Sequence, residues 1–331
     1  MAKGNSNKII LAVSNDEILF LCSSGGKIVT DRESCSSNSE WEKAITKIFH
    51  SHKVSSSAKV IVVLSQGLYS VVQLQKNPNL SEEELKSIAM SRELEASVQG
   101  NITDYVWDFY DAKVGKNAKP SANFVLAERK IISSISDIVN GLAKLETITI
   151  EDLAMTEFIS FYHADSLGKV KDNEKSAYLP QLCLTLFLEK NKELKVFGVY
   201  AGELCYSRIL RGYKSLATDP IVADDPTLSR LVTEILRIND DFFTARLGLP
   251  PMSKLLILME CDQLKNLTME MSKNFRRAVD VVPLKDDLNN VEGAGFSVCK
   301  NVQLRDILKN GIGYAPLLGI FKEGLLVNEK D

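Results

Sequence analysis

The strongest constraint on the fold is an order of predicted elements that occurs twice within the 331 residues. Each half begins with three short alternating segments, at 8–30 and at 182–210, which predict three strands joined by tight turns. A helix follows each set of strands, and further strands and helices alternate after it. Each half therefore reads β-β-β-α-β-α-β-α, which indicates an internal duplication. Crossover helices join parallel strands, so each half predicts a mixed sheet covered by helices.

Start signals place the first helix of each half directly after its three strands. Ser39 and Glu42 have the spacing of a capping box, in which each side chain binds the other residue's backbone N–H, and they predict a helix that starts at Ser39. In the second half, Asp225 is predicted to cap a helix over 227–247, with Pro226 at its first position.

An insertion at 66–122 distinguishes the first half from the second. It contains a predicted strand at 69–75, a helix opened by a capping box of Ser81 and Glu84, and a predicted strand at 104–112. These elements predict a small α+β subdomain grafted onto the first half.

The domain boundaries follow from this pattern. The first lobe is predicted over 1–163, with the subdomain inserted at 66–122, and the second lobe over 176–320. The strand at 123–128 is predicted to return to the main sheet of the first lobe. A helix ends the second lobe, and one alternative packs this helix back on the first lobe.

Composition and charge exclude several classes of protein. The formal net charge of −3 argues against a nucleic-acid-binding surface, which would be basic. No apolar run approaches the roughly 18 residues that cross a bilayer. The N-terminal MAKGNSNK lacks the apolar region of a signal peptide. We therefore expect a cytoplasmic protein that binds no nucleic acid.

The histidines and cysteines show no metal-binding pattern. The six cysteines are scattered and include no Cys-x-x-Cys pair, which is typical of buried thiols in a reducing compartment. His50 and His52 end a predicted helix, where a positive charge is favourable. We favour this structural interpretation over a metal ligand, and we expect neither a metal nor a catalytic residue.

The polar elbow at 14–17 raises the main functional question. Asn15 and Asp16 are turn formers, because their side chains bond to the local backbone. Carboxylates such as those of Asp16 and Glu17 can also orient a hydrated metal beside a phosphate. Turn chemistry alone explains these residues, so we favour a plain turn and keep the metal and phosphate site as the alternative.

Several segments, taken in order, resemble the PilM and MshI family of type IV pilus assembly proteins. The family's acidic helix and Asp-aromatic strand are similar to KNPNLSEEELKSIAMSRELEASVQGNITDYVWDFYDA. Its second-lobe pattern is similar to GELCYSRILRG and to LVTEILRINDDFFTARLGLPPMSKLLIL, especially at Glu234, Arg237, Asp241, Phe242 and Phe243. The likeness spans about residues 8–320 and is greatest to the MshI proteins of MSHA pilus systems. It implies an α/β, duplicated, actin-like (ribonuclease H-like) fold of two lobes, with a small inserted α+β subdomain in the first.

The resemblance also implies that the nucleotide site of this fold is degenerate. In nucleotide-binding relatives the first hairpin carries Asp-x-Gly, and those positions read Ala12, Val13 and Ser14 here. The second hairpin has Leu186 and Leu188 where the phosphate loop needs Asp and Gly. Bulky side chains at these positions are predicted to fill the space of the phosphates.

A third part of that site departs from the pattern as well. The Gly-Gly that cradles adenosine in relatives reads Met259, Glu260 and Cys261. We therefore expect no nucleotide and no cofactor, with binding of ATP and magnesium as the alternative.

The same resemblance implies a non-enzymatic platform or adaptor protein. Such proteins hold the N-terminal cytoplasmic tail of an inner-membrane pilus assembly protein and couple it to the assembly ATPase. We expect the groove for this tail between the insertion and the first lobe, near Leu68, Tyr69, Ile88 and Arg92. Ordinary helix core is the alternative interpretation of Ile88.

Two other functions stay open. One is an ATP-binding PilM-like assembly protein with slow hydrolysis, and the other is the cytoplasmic L-type component of a type II secretion system. A sugar or acetate kinase is disfavoured, because phosphoryl transfer needs metal-binding carboxylates that these positions lack.

Overall fold

The computed structural model divides into two compact units. The first unit comprises residues 1–113 with 119–154, and the second comprises 114–118 with 155–331. The structure describes residues 8–24, 27–75, 81, 83–84, 92–112, 114–117, 119, 121–166, 181–220, 225–275, 278–283, 296–299 and 301–321.

The strands of the described residues form three sheets. In chain order they are β1 Lys8–Val13, β2 Glu17–Ser24, β3 Lys27–Ser34, β4 Lys59–Leu64, β5 Tyr69–Gln75, β6 Tyr105–Ala112, β7 Ser121–Glu128, β8 Lys144–Ile150, β9 Leu182–Leu188, β10 Leu194–Tyr200, β11 Glu203–Leu210, β12 Lys254–Met259, β13 Ala278–Val281 and β14 Phe296–Val298.

The helices alternate with these strands. The α-helices are α1 Trp41–Ser51, α2 Arg92–Glu95, α3 Arg129–Leu142, α4 Glu151–Ser166, α5 Ser215–Thr218, α6 Pro226–Arg237, α7 Leu264–Asn274, α8 Val302–Leu308 and α9 Ala315–Phe321. In the described part of the chain, three short 3₁₀ helices cover Asn38–Glu40, Ile102–Asp104 and Ile312–Tyr314, and a π-helix covers Ile238–Arg246.

The main sheet of the first unit has the strand order β3-β2-β1-β4-β8. The first three strands pair antiparallel, as their tight turns predict, and β4 and β8 add parallel to β1. Alternate residues of β1 pack against α1 and α3, because one face of the strand is covered by these helices. The buried residues of this core include Ile9, Leu11, Val13, Trp41, Ile45, Ile48, Phe49, Ile135 and Val139.

The inserted subdomain contains an antiparallel sheet of order β5-β7-β6. The prediction that the strand at 123–128 belongs to the main sheet is therefore wrong, since β7 pairs with β5 and β6. The sheet also extends past the predicted end of the insertion at 122. The capping box predicted at Ser81 and Glu84 is confirmed, because the Ser81 N–H donates to the Glu84 carboxylate at 2.7 Å and the Glu84 N–H donates to Ser81 Oγ at 3.3 Å.

The sheet of the second unit has the order β11-β10-β9-β12-β13-β14. Its first five strands repeat the pairing of the first sheet, so the predicted duplication is confirmed, and β14 is an addition that the sequence did not predict. Asp225 caps α6 as predicted, because its carboxylate accepts from the N–H groups of Thr227 and Leu228 at 2.8 and 3.1 Å. Within the described residues, no helix is long and apolar enough to cross a bilayer.

Two hydrogen bonds align the halves of the duplication residue by residue. Ser65 N donates to Val13 O at 3.0 Å where β4 ends beside β1, and Glu260 N donates to Leu188 O at 2.8 Å where β12 ends beside β9. Val13 is thus equivalent to Leu188, and Ser65 to Glu260. The residue equivalent to Ala12 is therefore the one before Leu188, which is Phe187.

Candidate functional site

The elbow between β1 and β2 is a turn closed by its own side chains. Ser14 Oγ donates to Asp16 Oδ1 at 2.6 Å and accepts from Glu17 N at 3.0 Å. The Ser14 backbone N–H donates to Glu17 O at 3.1 Å, and Trp41 Nε1 donates to Ser14 O at 2.9 Å. The predicted turn is confirmed, and the hydroxyl at the supposed glycine position organises it.

The two carboxylates of this elbow already have partners. Asp16 accepts from Ser14 Oγ, as above, and Glu17 lies 3.2 Å from Arg32 Nε. Ala12, which the sequence predicted to replace a metal-orienting aspartate, is buried and offers only a methyl group. Within the described residues, no group of three or more His, Cys, Asp or Glu side chains could hold a metal.

The second elbow, between β9 and β10, is closed by an ion pair. Glu189 is buried, and its carboxylate lies 3.1 Å from Lys192 Nζ. The Lys192 N–H donates to Glu189 O at 3.1 Å, and Asn191 has a φ of +65°, which asparagine tolerates in a turn. Acidic and basic side chains thus replace the glycine-rich backbone that a phosphate loop needs.

Leu186, Leu188 and Met259 do not face the place where the sequence put the phosphates. All three are fully buried in the helix-covered core of the second unit. The residue equivalent to Ala12 is Phe187, whose ring packs edge-on to Phe197 with centroids 6.3 Å apart. The alignment of the two halves thus pairs Ala12 with Phe187 and not with Leu186, and neighbouring residues of a strand lie on opposite faces.

Glu260 holds two chain segments together. Its Oε2 accepts from Lys190 N at 2.9 Å, in the second elbow, and its Oε1 accepts from Ile312 N at 3.0 Å, where a 3₁₀ helix begins. The following residue, Cys261, is buried. The end of β12 therefore carries a carboxylate that accepts two backbone N–H groups.

Two residues of the predicted tail groove make structural contacts within the first unit. Leu68 is buried in its core, and the Tyr69 hydroxyl accepts from Asp152 N at 3.3 Å. Ile88 lies outside the described residues. Of Arg92, the structure describes only the backbone, as the first residue of α2.

A buried polar cluster beside Tyr69 was not predicted from the sequence. The Gln66 backbone N–H donates to Glu151 Oε2 at 2.9 Å, and Gln66 Nε2 donates to Asp152 Oδ1 at 2.8 Å. Burial raises the pKa of Tyr69 well above its ordinary value and that of Tyr110 to about 12, and the negative charge of Asp152 adds to both shifts. The sequence feature that could have indicated this cluster is the acidic pair that opens α4, since carboxylates stabilise helix N-termini.

The second-lobe residues that carry the family resemblance pack around β11. The Tyr213 hydroxyl donates to Glu234 Oε2 at 2.8 Å. The Tyr206 ring lies edge-on to Phe242 and Phe243, with centroid distances of 5.1 and 5.7 Å. Arg237 and Asp241 are exposed. These contacts attach α6 and the π-helix to the sheet.

A buried titratable group lies where α4 packs in the second unit. The Asp280 carboxylate is 3.9 Å from both His163 Nδ1 and Lys254 Nζ. Burial lowers the pKa of His163 to about 3, and the charge of Lys254 contributes to this shift. Burial also raises the pKa of Asp280, against the opposing effect of Lys254. His163 is therefore neutral at pH 7, despite the carboxylate nearby.

Of the two histidines near the end of α1, His52 is held by a polar contact and by ring stacking. His52 Nε2 lies 2.7 Å from Asp31 Oδ2, and its ring stacks on Phe20 with centroids 4.7 Å apart. His50 is exposed. These contacts support the structural interpretation of His52 over a metal ligand.

Comparison with known proteins identifies the fold. No family model and no curated protein matches the chain. The chain does match a solved PilM–PilN type IV pilus biogenesis complex at 13% identity, over 96% of this chain and 98% of that one, with a TM-score of 0.62. The chain has the actin-like fold. The α/β duplicated architecture expected from the resemblance is thus confirmed.

Two further structures match at lower similarity. The cytoplasmic domain of EpsL, an inner-membrane component of the type II secretion system of Vibrio cholerae, is 10% identical over 82% of this chain and 96% of that one, with a TM-score of 0.46. A Bacteroides thetaiotaomicron protein with an actin-like ATPase fold is 10% identical over 93% and 97%, also with a TM-score of 0.46. Neither these nor the PilM match is an MshI protein, so the closer likeness to MshI stays a prediction.

Proposed function

We propose that this chain is a cytoplasmic adaptor of type IV pilus assembly, of the MSHA type. It holds the N-terminal cytoplasmic tail of an inner-membrane assembly protein, links that protein to the assembly ATPase, and lies at the inner membrane through these partners. The observation that carries the proposal is the match to PilM over nearly the whole chain, in a structure that contains PilM together with PilN.

Strand β5 of the inserted sheet offers a place for such a tail. It is an edge strand, so among the described strands it pairs only with β7. Edge strands commonly carry charges that prevent pairing with other chains, yet Tyr69–Gln75 has no charged residue. The edge strands β3, β6, β8 and β11 each contain an acidic residue, and β14 has only three residues. An uncharged edge favours docking of an extended tail as an additional strand.

The face of β5 that includes Tyr69 offers a tail one exposed apolar side chain, Val71, followed by the polar Gln73 and Gln75. Val71 is 37% exposed, and its cross-strand neighbour Val125 is half-buried. Side chains of an added strand would alternate between this face and the opposite one. The Tyr69 hydroxyl accepts from Asp152 N, so one end of this face is fixed before a partner arrives.

The side chains at the nucleotide positions support an adaptor over an ATPase. Ala12 and Phe187 stand at the two equivalent positions where relatives place an aspartate, and neither can orient a hydrated magnesium ion. Glu260 would repel a triphosphate at the third position.

The test is binding of a synthetic peptide with the cytoplasmic N-terminal tail of the inner-membrane protein encoded beside this chain. We expect saturable binding by fluorescence anisotropy, weakened at least tenfold by Val71→Lys, which places a charge on the edge strand. Val302→Lys is the matched control, because Val302 is 58% exposed and lies in the second unit. Unchanged affinity of the Val71 variant would place the tail elsewhere, and no binding to the wild type would refute the adaptor.

A second measurement separates the adaptor from the ATP-binding alternative. A ligand present at 100 times its dissociation constant stabilises the folded state by about 2.7 kcal/mol. We expect millimolar ATP with magnesium to leave the melting temperature unchanged, and a rise of several degrees would support the ATP-binding alternative.

A further inference from the structure

The half-buried Glu260 carboxylate accepts from two backbone N–H groups, as a bound anion would. Its two oxygens accept from Lys190 N at 2.9 Å and from Ile312 N at 3.0 Å, and these donors come from segments far apart in the sequence. Backbone N–H groups that converge on one oxyanion are a recurrent anion-binding arrangement, and such charge-assisted bonds are about twice as strong as neutral ones.

The backbone on both sides of the carboxylate is shaped to present these N–H groups. Lys190 precedes Asn191, whose φ of +65° turns the elbow. Ile312 follows Gly311, whose φ of +143° is open to glycine but strained for other residues.

The fold itself does not require a carboxylate here. The equivalent residue of the first unit is Ser65, which makes the same backbone bond to the neighbouring strand. A serine therefore suffices to end the strand, and the longer acidic side chain in the second unit has a different task.

We propose that the N–H groups of Lys190 and Ile312 form an oxyanion site whose resident anion is the chain's own Glu260 carboxylate. This carboxylate occupies the elbow that corresponds to a phosphate loop and ties it to the segment before α9. The inference deepens the proposed loss of the nucleotide site, and the class of ligand is a small carboxylate or phosphate-like oxyanion.

Chemical rescue of Glu260→Ala tests this proposal. Removal of the carboxylate should lower the melting temperature by several degrees and speed hydrogen exchange at the Lys190 and Ile312 amides at least tenfold. Sodium acetate should restore at least half of both losses, relative to sodium chloride at the same ionic strength, and should have no such effect on the wild type. Equal effects of acetate and chloride on the variant would overturn the proposal.

Two further variants keep the result interpretable. Glu260→Gln keeps the length of the side chain but only one acceptor oxygen, so we expect faster exchange at one of the two amides and no rescue by acetate. Glu270→Ala is the matched control, since Glu270 pairs with Lys273 on α7 and should show neither effect. Rescue of the control, or wild-type exchange in Glu260→Gln, would argue against an oxyanion site. The peptide assay uses variants of the other unit, so its failure would leave this result unaffected.

Discussion

Acidification should destabilise this protein through His163. Its ring is buried, and Asp280 Oδ2 lies 3.9 Å from Nδ1, which is too far for a hydrogen bond. Lys254 lies at the same distance from that carboxylate. The positive charge of Lys254 opposes protonation of the His163 ring. Burial and Lys254 together outweigh Asp280, and the folded pKa of His163 falls to about 3.

The magnitude follows from the difference between the folded and unfolded pKa values. The unfolded ring titrates near 6.5, and the folded ring near 3. Because the folded pKa is depressed, this stabilisation is complete above pH 6.5 and is lost as the pH falls towards 3. Protonation of the unfolded chain at pH 5 costs ~2 kcal/mol of the free energy of unfolding, and the whole shift costs ~5 kcal/mol by pH 3.

Urea unfolding of the wild type and of His163→Gln at pH 7, 6 and 5 measures this effect. Both tryptophans, Trp41 and Trp107, lie in the first unit, so far-UV circular dichroism is needed to report on the second. We expect the wild type to lose ~2 kcal/mol more than the variant between pH 7 and pH 5. Asp280 and the other carboxylates are present in both proteins, and equal losses in both would refute the assigned pKa.

Three further predictions test packing and reactivity in the second unit. Gly198→Ala places a methyl group 2.6 Å from Phe243 Cζ, so urea unfolding should show a loss of about 1–3 kcal/mol; an unchanged midpoint would mean that the ring moves freely. Asn239→Ala removes the buried acceptor of Met252 N and should cost about 1–3 kcal/mol, whereas full stability would contradict this bond. Burial raises the pKa of Cys205 to about 12, so iodoacetamide at pH 8 should alkylate this thiol only after unfolding, and rapid labelling of the folded protein would contradict it.

Strands and helix caps were largely predictable from the sequence because they depend on neighbouring residues. β9, β10 and β11 fall within the range 182–210 predicted for three strands, and the alternation of apolar side chains accounts for them. Local signals were misleading where the sequence allows two alternative capping arrangements. The capping box predicted at Ser39 and Glu42 is wrong, since α1 begins at Trp41 after a 3₁₀ turn and the Glu40 carboxylate instead accepts from Ser36 N at 2.6 Å.

The sheet to which a strand belongs was not predictable from its own residues. β7 has the alternation of any half-buried strand, and only its pairing with β5 and β6 places it in the inserted sheet. The π-helix was hidden for a similar reason. The sequence over 227–247 predicts one continuous α-helix. Beyond Arg237 the helix instead has π geometry, and Leu247 N donates to Phe242 O, five residues back.

The sequence correctly marked both elbows, but it did not reveal which groups close them. Leu186 and Leu188 point into the helix-covered core, so their bulk does not reach the elbow. The N–H groups that a phosphate would need are instead already bonded: Glu17 N to Ser14 Oγ in the first elbow, and Lys190 N to Glu260 in the second. A phosphate bound by either of these N–H groups would have to displace its internal acceptor. Residue types alone do not reveal that these backbone donors are occupied.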